Sequence, residues 1–131
     1  MKNSFVLILL CTFTLFSSFA SIDTLEMDDV VIALKSGNAA QLSKYFDSRV
    51  DITLPDKTDN YSRTQAEMII RDFFINNGVR NFDLKYKSEK SGSNYCVGTL
   101  ETRAGNFRTT LFMKQKGNRE YLQDLSFQRI D

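Results

Sequence analysis

Regular alternation of apolar and polar residues continues from Arg80 almost to the end of the chain. Apolar side chains at every second position indicate a strand with one face against a core. The alternation is interrupted by short glycine-containing turns at residues 91–92, 104–106 and 116–118. Connections this short join neighbouring strands as antiparallel hairpins. We therefore predict a meander of four strands in this part of the chain.

The preceding part of the chain has helical periodicity instead. Apolar residues in Met27–Leu34 recur at i, i+3, i+4 and i+7, which is one face of a helix. Asn38 and Ser62 are each followed three residues later by Gln, a pattern that predicts capped starts of a second and a third helix. Between those helices, Val50–Leu54 alternates like a strand. Residues 56–60 are predicted to form a polar loop.

The predicted element order is α-α-β-α-β-β-β-β. Helices that are separated in this way from an antiparallel sheet are typical of an α+β protein. We predict three N-terminal helices packed on a curved, mainly antiparallel sheet. The sequence contains no internal repeat or linker, so residues 21–131 are interpreted as a single domain.

The first twenty residues have the pattern of an export signal. Lys2 supplies the positive start, Phe5–Phe16 is mostly apolar, and Ser18–Ala20 places small residues where a signal peptidase reads. The apolar run is short for a membrane-spanning helix of about 20 residues, so a retained anchor is the less favoured alternative. We predict cleavage after Ala20, a periplasmic or secreted protein, and no membrane attachment after cleavage.

The composition excludes several classes of function. The chain contains no His, which removes His-dependent nucleophiles and bases and most zinc and iron sites. Without Lys2, basic and acidic residues are equal in number, which argues against a nucleic-acid partner. Cys96 is the one cysteine left after cleavage, so it is predicted to be a buried, inert thiol. No metal or cofactor is predicted.

Six segments of the chain carry a resemblance to a known family, and most of their residues are caps, turns and core positions. They are Ile32–Ala39, Leu42–Asp47, Tyr61–Ser62, Gln65–Phe74, Tyr95–Leu100 and Gly105–Arg108. The sequence resembles the nuclear-transport-factor-2-like (cystatin-like) α+β cone. Within that fold, it is similar to a family of small exported bacterial proteins of unknown function. The resemblance implies a pocket between sheet and helices and pairing of chains through the sheet.

Given this fold, we predict a non-catalytic ligand-binding or protein-interaction module. The expected pocket has apolar walls with a few polar groups. Strand alternation places Tyr86, Thr109 and Gln123 beside apolar residues, so these three are the candidate pocket residues. A small apolar ligand and an unidentified exported protein are the candidate partners.

A small-molecule isomerase or lyase that uses the cone pocket is the alternative function. Proton abstraction in such a pocket needs a carboxylate base surrounded by apolar side chains. The best acidic candidates, Asp51, Asp83 and Asp124, alternate opposite to the apolar residues of their strands. No catalytic residue is therefore predicted.

Apolar residues also occupy the presumed outer face of the last strands. Leu100, Phe112, Leu122 and Ile130 alternate opposite to the presumed core. Apolar groups on a solvent-facing sheet usually mark an interface, so we predict a homodimer formed through this face. A one-residue slip in register would instead place these residues in the core, and that alternative stays open.

The first prediction concerns export. We expect Ser21 to be the N-terminal residue of the protein purified from its exporting host, because the signal pattern directs cleavage after Ala20. Intact-mass spectrometry of the native protein measures this directly. Recovery of the soluble protein with Met1 still attached would contradict the prediction.

Overall fold

The computed structural model of the protein describes residues 23–130, with side chains from residue 26 onward. The predicted signal segment, residues 1–20, lies outside the described residues. The helices are α1 (Asp23–Ser36), α2 (Ala39–Ser43) and α3 (Arg63–Asn77). The strands are β1 (Phe46–Leu54), β2 (Lys57–Ser62), β3 (Val79–Lys90), β4 (Ser93–Thr102), β5 (Gly105–Lys116) and β6 (Arg119–Ile130).

The six strands form one curved sheet in the order β2-β1-β6-β5-β4-β3. Neighbouring strands are antiparallel except β1 and β6, which are parallel. The helices cover one side of the sheet, here called the inner face, and the opposite side is the outer face. The predicted α+β class is confirmed, and so is the meander of β3 to β6.

Strand β2 occupies the segment that was predicted to be a polar loop, so that prediction is wrong. It pairs with β1 across a two-residue turn at Pro55 and Asp56. Its first four side chains, Lys57–Asn60, are all exposed. Hydrophobic alternation cannot reveal a strand that buries neither face, and a polar strand of this kind suits the edge of a sheet.

The predicted helix caps are present. Ser62 Oγ accepts a hydrogen bond from Gln65 N at 3.3 Å, and the Gln65 side chain accepts one from Ser62 N at 3.4 Å. Asn38 caps α2 by accepting from Gln41 N at 3.0 Å. Gly78, the residue after the end of helix α3, is its C-cap, and its φ of 70° is a conformation that glycine adopts without strain. Local sequence therefore sets where α3 begins and ends.

Aromatic rings fill the space between α3 and the inner face of the sheet. Phe73 on α3 lies 5.1 Å from Phe107 on β5 and 4.7 Å from Phe127 on β6, measured between ring centroids. Phe74 also contacts Phe127, at 6.1 Å. The interior of the cone beneath α3 is thus a packed core, and these contacts hold the helix on the sheet.

The two ends of the cone differ. At one end the β4–β5 turn packs on the C-terminus of α3, where Arg103 N donates to Gly78 O at 3.0 Å and Ala104 N donates to Asn77 O at 3.2 Å. The other end carries the β3–β4 and β5–β6 turns and is here called the hairpin end.

A bulge in β6 corrects two predictions. Leu122 pairs with Met113 while Asp124 pairs with Phe112, so Gln123 is an extra residue between them. Leu122 is therefore fully buried in the core, and the prediction that it is an interface residue is wrong. Gln123 was placed with the pocket residues, but its side chain donates to Asp47 Oδ2 at 2.9 Å instead.

The prediction that Leu100 lies on the outer face is also wrong. Leu100 is fully buried, in phase with Cys96. Strand β4 carries Tyr95 and Val97 on one face and Cys96 and Leu100 on the other, so its alternation did not show which face is inward. The predicted buried Cys96 is confirmed, and burial raises the pKa of its thiol to about 11.

A register shift in β3 overturns the prediction for Tyr86. The register shifts between Leu84 and Tyr86, and Tyr86 then pairs with Val97 on the outer face. Its side chain is 58% exposed. Tyr86 therefore faces away from the interior of the cone.

Asp47 at the start of β1 joins three strands. Lys116 Nζ lies 2.7 Å from Asp47 Oδ2, Gln123 donates to the same oxygen, and Ser48 N donates to Oδ1 at 2.7 Å. Asp47 is only 8% exposed. Burial raises the pKa of this carboxyl, but the bonds from Lys116, Gln123 and Ser48 outweigh it and lower the pKa from 3.8 to about 2.

The second prediction tests the aromatic core. We expect Phe73→Ala to lower the free energy of unfolding by about 3–5 kcal/mol, because truncation leaves a cavity among packed rings. Urea denaturation measures the loss. Ile75→Ala on the same helix is the matched control, since Ile75 is 65% exposed and surface changes cost about 0.5 kcal/mol. Equal losses in both variants would contradict the packing.

The third prediction concerns acid stability. Asp47 takes up a proton near pH 3.8 in the unfolded chain but only near pH 2 in the folded protein, so its stabilisation is present above pH 3.8 and disappears towards pH 2. We expect Asp47→Asn to destabilise the neutral protein by up to about 2 kcal/mol. The difference from wild type should shrink as the pH falls through that window. Urea titrations across it measure this, with exposed Asp59→Asn as control; a constant difference would contradict the assignment.

Candidate functional site

The three predicted pocket residues do not come together. Tyr86 lies on the outer face, and Gln123 lies at the β6 bulge with Asp47. Thr109 faces inward, but it is fully buried and its hydroxyl donates to Phe107 O at 3.3 Å. Thr109 is thus a satisfied core residue, and the three side chains do not form one site.

The acidic candidates for a catalytic base lie on the outer face. Asp51 on β1 is in register with Asp124 on β6. Asp83 on β3 forms an ion pair with Lys85, with 2.8 Å between Oδ2 and Nζ. Partial burial, and to a lesser degree the negative charge of Asp51, raises the pKa of Asp124. None of the three carboxylates faces the phenylalanine core.

A cluster of apolar side chains on the outer face, here called the outer patch, consists of Tyr86, Tyr95, Val97 and Phe112. Tyr86 pairs with Val97, and Tyr95 pairs with Phe112, so the four are contiguous across β3, β4 and β5. Both tyrosines are exposed, and Val97 and Phe112 are half-buried. Phe112 was predicted to be an interface residue and does lie on this face.

Opposite charges flank the outer patch. On the β1–β6 side, Asp124 stands directly across from Phe112, with Asp51 beside it. At the β3 edge, exposed Lys90 pairs with Ser93 at the hairpin end. Ile130, the remaining predicted interface residue, lies on the outer face of β6 but at the far end of that strand.

A polar cleft of about 270 Å³, here called the hairpin cleft, opens at the hairpin end. The β3–β4 turn at residues 91–93 forms one wall. Glu89, Asn94, Gln115 and Glu120 supply the other groups. The sheet register places Glu89 opposite Asn94 and Gln115 opposite Glu120, so these four side chains come from two adjacent hairpins.

Asn94 and Glu120 are buried in the hairpin cleft, with exposures of 4% and 3%. Asn94 Nδ2 donates to Glu120 Oε2. This contact also fixes the orientation of the amide, because a flipped amide would set its oxygen against the carboxylate. Asn94 Oδ1 is buried and accepts no hydrogen bond from the described part of the chain.

Contacts with α1 hold the first residues of β6 in place. Glu120 N donates to Glu26 Oε2 at 2.7 Å. Arg119 lies over the rings of Tyr45 and Tyr121, at 5.9 and 5.5 Å from their centroids. Tyr45 in turn donates to Asp29 Oδ2 at 2.6 Å, and burial together with that bond raises its pKa to about 12. The position of Glu120 is therefore set by α1 as well as by the sheet.

Asn94 and Glu120 were missed as site residues for different reasons: β4 was given the wrong inward face, and the β6 bulge reverses the phase of its strand. With Cys96 inward, Asn94 two residues earlier must also face inward, and buried Leu122 implies the same for Glu120. For Asn94 the predicted burial of Cys96 contained the signal, whereas for Glu120 the bulge hid it.

Among residues 26–130, no group of three or more His, Cys, Asp or Glu side chains is arranged to hold a metal ion. None of the helices in the described part has the length and apolar character needed to cross a membrane.

Comparison with solved structures places the fold. A DUF4783 family protein from Bacteroides ovatus is 28% identical, with a TM-score of 0.76 over 79% of this chain and 94% of that one. A cystatin-like domain of unknown function from Nostoc punctiforme is 11% identical, with a TM-score of 0.65 over 88% of this chain and 80% of that one. The protein described as "Rd1NTF2_04 with long sheet" is 17% identical, with a TM-score of 0.64 over 79% and 97%.

The predicted cone fold is confirmed by these likenesses, of which the last two concern the fold alone. No curated protein matches the chain. A family model described as a domain of unknown function, DUF4783, matches residues 27–128. Because that match spans most of the sequence, the chain belongs to the DUF4783 family.

Proposed function

We propose that the protein is an exported, non-catalytic interaction module that works as a homodimer, with the outer patch at the centre of the subunit interface. The observation that carries the proposal is the outer patch itself, defined above by Tyr86, Tyr95, Val97 and Phe112. Export to the periplasm or the medium rests on the N-terminal pattern of charge, apolar run and small residues.

The composition of the outer patch supports burial against another protein surface. Aromatic residues are enriched at protein interfaces, because each buries a large area and loses few rotamers. Tyr86 is 58% exposed and Tyr95 is 41% exposed. A partner that covers them removes a contiguous apolar surface from water, which is favourable in proportion to its area.

The charges around the outer patch favour a second copy of the same chain as that partner. Acidic Asp124 lies on the β6 side of the patch and basic Lys90 lies on the β3 side. A two-fold axis parallel to the strands exchanges these two sides. In such a dimer Lys90 approaches Asp124 of the partner subunit, and the symmetry repeats the pair.

The non-catalytic part of the proposal rests on the chemistry of the cone. An isomerase or lyase of this fold type needs a base within the apolar interior. Here Phe73, Phe74, Phe107 and Phe127 occupy the interior beneath α3. The acidic candidates lie on the opposite face of the sheet.

The fourth prediction concerns the oligomeric state, which sedimentation and light scattering of the full-length protein measure. We expect wild type to be a dimer and Phe112→Lys to be a folded monomer, because the charge would be buried in the interface. Met68→Lys is the matched control: Met68 is also an exposed apolar residue, but it lies on α3. A monomeric wild type, or a dimeric Phe112→Lys, would contradict the proposal.

Charge exchange tests the two-fold arrangement separately. We expect Lys90→Asp and Asp124→Lys each to weaken the dimer by roughly tenfold, because two symmetric surface pairs change from attraction to repulsion. The double variant restores attraction with the signs reversed, so it should dimerise like wild type. A double variant weaker than both single variants would contradict this arrangement.

A further inference from the structure

The hairpin cleft is lined by hydrogen-bond acceptors and negative charge. Glu89 and Glu120 supply carboxylates, and Asn94 and Gln115 supply amide oxygens. Among the residues that line the cleft there is no Lys or Arg. Beside the hydroxyls of Ser91 and Ser93, which both donate and accept, a ligand that enters this space therefore meets carboxylates and amide oxygens, which accept hydrogen bonds and favour positive charge.

Asn94 is the observation that points to a bound group. Its Oδ1 is buried and accepts no hydrogen bond within residues 26–130. Buried carbonyl oxygens in folded proteins nearly always have a donor, because an unsatisfied one loses its bonds to water without replacement. The contact of Asn94 Nδ2 with Glu120 Oε2 holds the amide in this orientation, so Asn94 Oδ1 is available to a donor from outside the described residues.

The carboxyl group of Glu120 favours a donor that carries a positive charge. Glu120 is 3% exposed, and in a site with so little water its interaction with a cation is stronger than at the surface. Glu89, opposite Asn94 in the register, adds a second carboxylate at the exposed rim of the cleft. Charge-assisted hydrogen bonds of this kind are stronger than bonds between neutral groups.

The size of the cleft restricts the ligand further. Its volume of about 270 Å³ lies just below the range of roughly 300–1,000 Å³ of pockets for drug-sized molecules. Among the described residues no three His, Cys, Asp or Glu side chains are grouped to hold a metal ion. The four carboxylate and amide side chains of the cleft are fewer than the roughly six to eight oxygens that Ca²⁺ takes, so an organic cation fits the site better than that ion.

We propose that the hairpin cleft binds an organic ammonium group. The ammonium N–H groups donate to Asn94 Oδ1 and to the Glu120 carboxylate, and Glu89 stabilises the charge from the rim. The ammonium belongs to a free amine or to a lysine side chain of another protein. The cleft opens at the hairpin end and the outer patch lies across the sheet, so failure of the homodimer proposal leaves this one unaffected.

The fifth prediction concerns binding of an ammonium group, which NMR titration of the isotope-labelled full-length protein measures. The probes are 1,4-diaminobutane, for a free amine, and Nα-acetyl-lysine amide, for a lysine side chain. We expect at least one of them to cause saturable shifts at the backbone amides of Ser93, Asn94 and Glu120. The uncharged 1,4-butanediol should cause none at equal concentration. Absence of saturable shifts with both ammonium probes would overturn the proposal.

Variants that replace a glutamate of the cleft by the uncharged glutamine then show whether the probe binds in the hairpin cleft. We expect Glu89→Gln to weaken the affinity of the active probe by about tenfold, because a charge-assisted bond is lost while the exposed rim keeps its fold. Glu120→Gln should weaken it further. Glu101→Gln, the same change in β4 outside the cleft, is the matched control. If Glu120→Gln fails to fold, Glu89→Gln alone decides, and unchanged affinity in Glu89→Gln would overturn the assignment.

Discussion

The contact of the two phenylalanines of α3 with the sheet is the interaction on which the rest of the structure depends. Phe73 and Phe74 meet Phe107 and Phe127, and these four rings form the middle of the core. They hold α3 on the inner face and fill the interior of the cone beneath this helix, where a ligand could otherwise bind. Polar chemistry is therefore confined to the periphery, at the outer face and the hairpin end.

The pairing of β1 with β6 determines where the acidic side chains at the edge of the core lie. As a parallel neighbour of β6, β1 brings Asp51 beside Asp124 and Asp47 beside Gln123. Asp47 forms an ion pair with Lys116 and accepts a hydrogen bond from Gln123, and both contacts stabilise the folded protein. Asp51 and Asp124 instead place negative charge next to Phe112. The same pairing thus places Asp47, which forms an ion pair with Lys116, at one position and the negative charge beside the outer patch at another.

Sequence patterns correctly predicted those elements whose own residues are enough to define them. The apolar stripe of α3 and its Ser62 cap needed no knowledge of the fold, and both are present. Strand β2 was missed because it buries neither face, and Leu100 was misplaced because β4 is apolar on both. The residues of β2 could not reveal that strand, whereas the predicted burial of Cys96 implied that Leu100, four residues further along β4, also faces inward.

The β6 bulge at Gln123 shows how one extra residue determines where a site forms. Leu125 and Phe127 fix the inward phase of the second half of β6, and uninterrupted alternation from them would turn Glu120 outward. With one residue inserted, the phase reverses and Glu120 faces the inner side, next to Asn94. Bulges often redirect side chains in this way near functional sites. The hairpin cleft therefore owes its buried carboxylate to a feature that no periodic pattern contains.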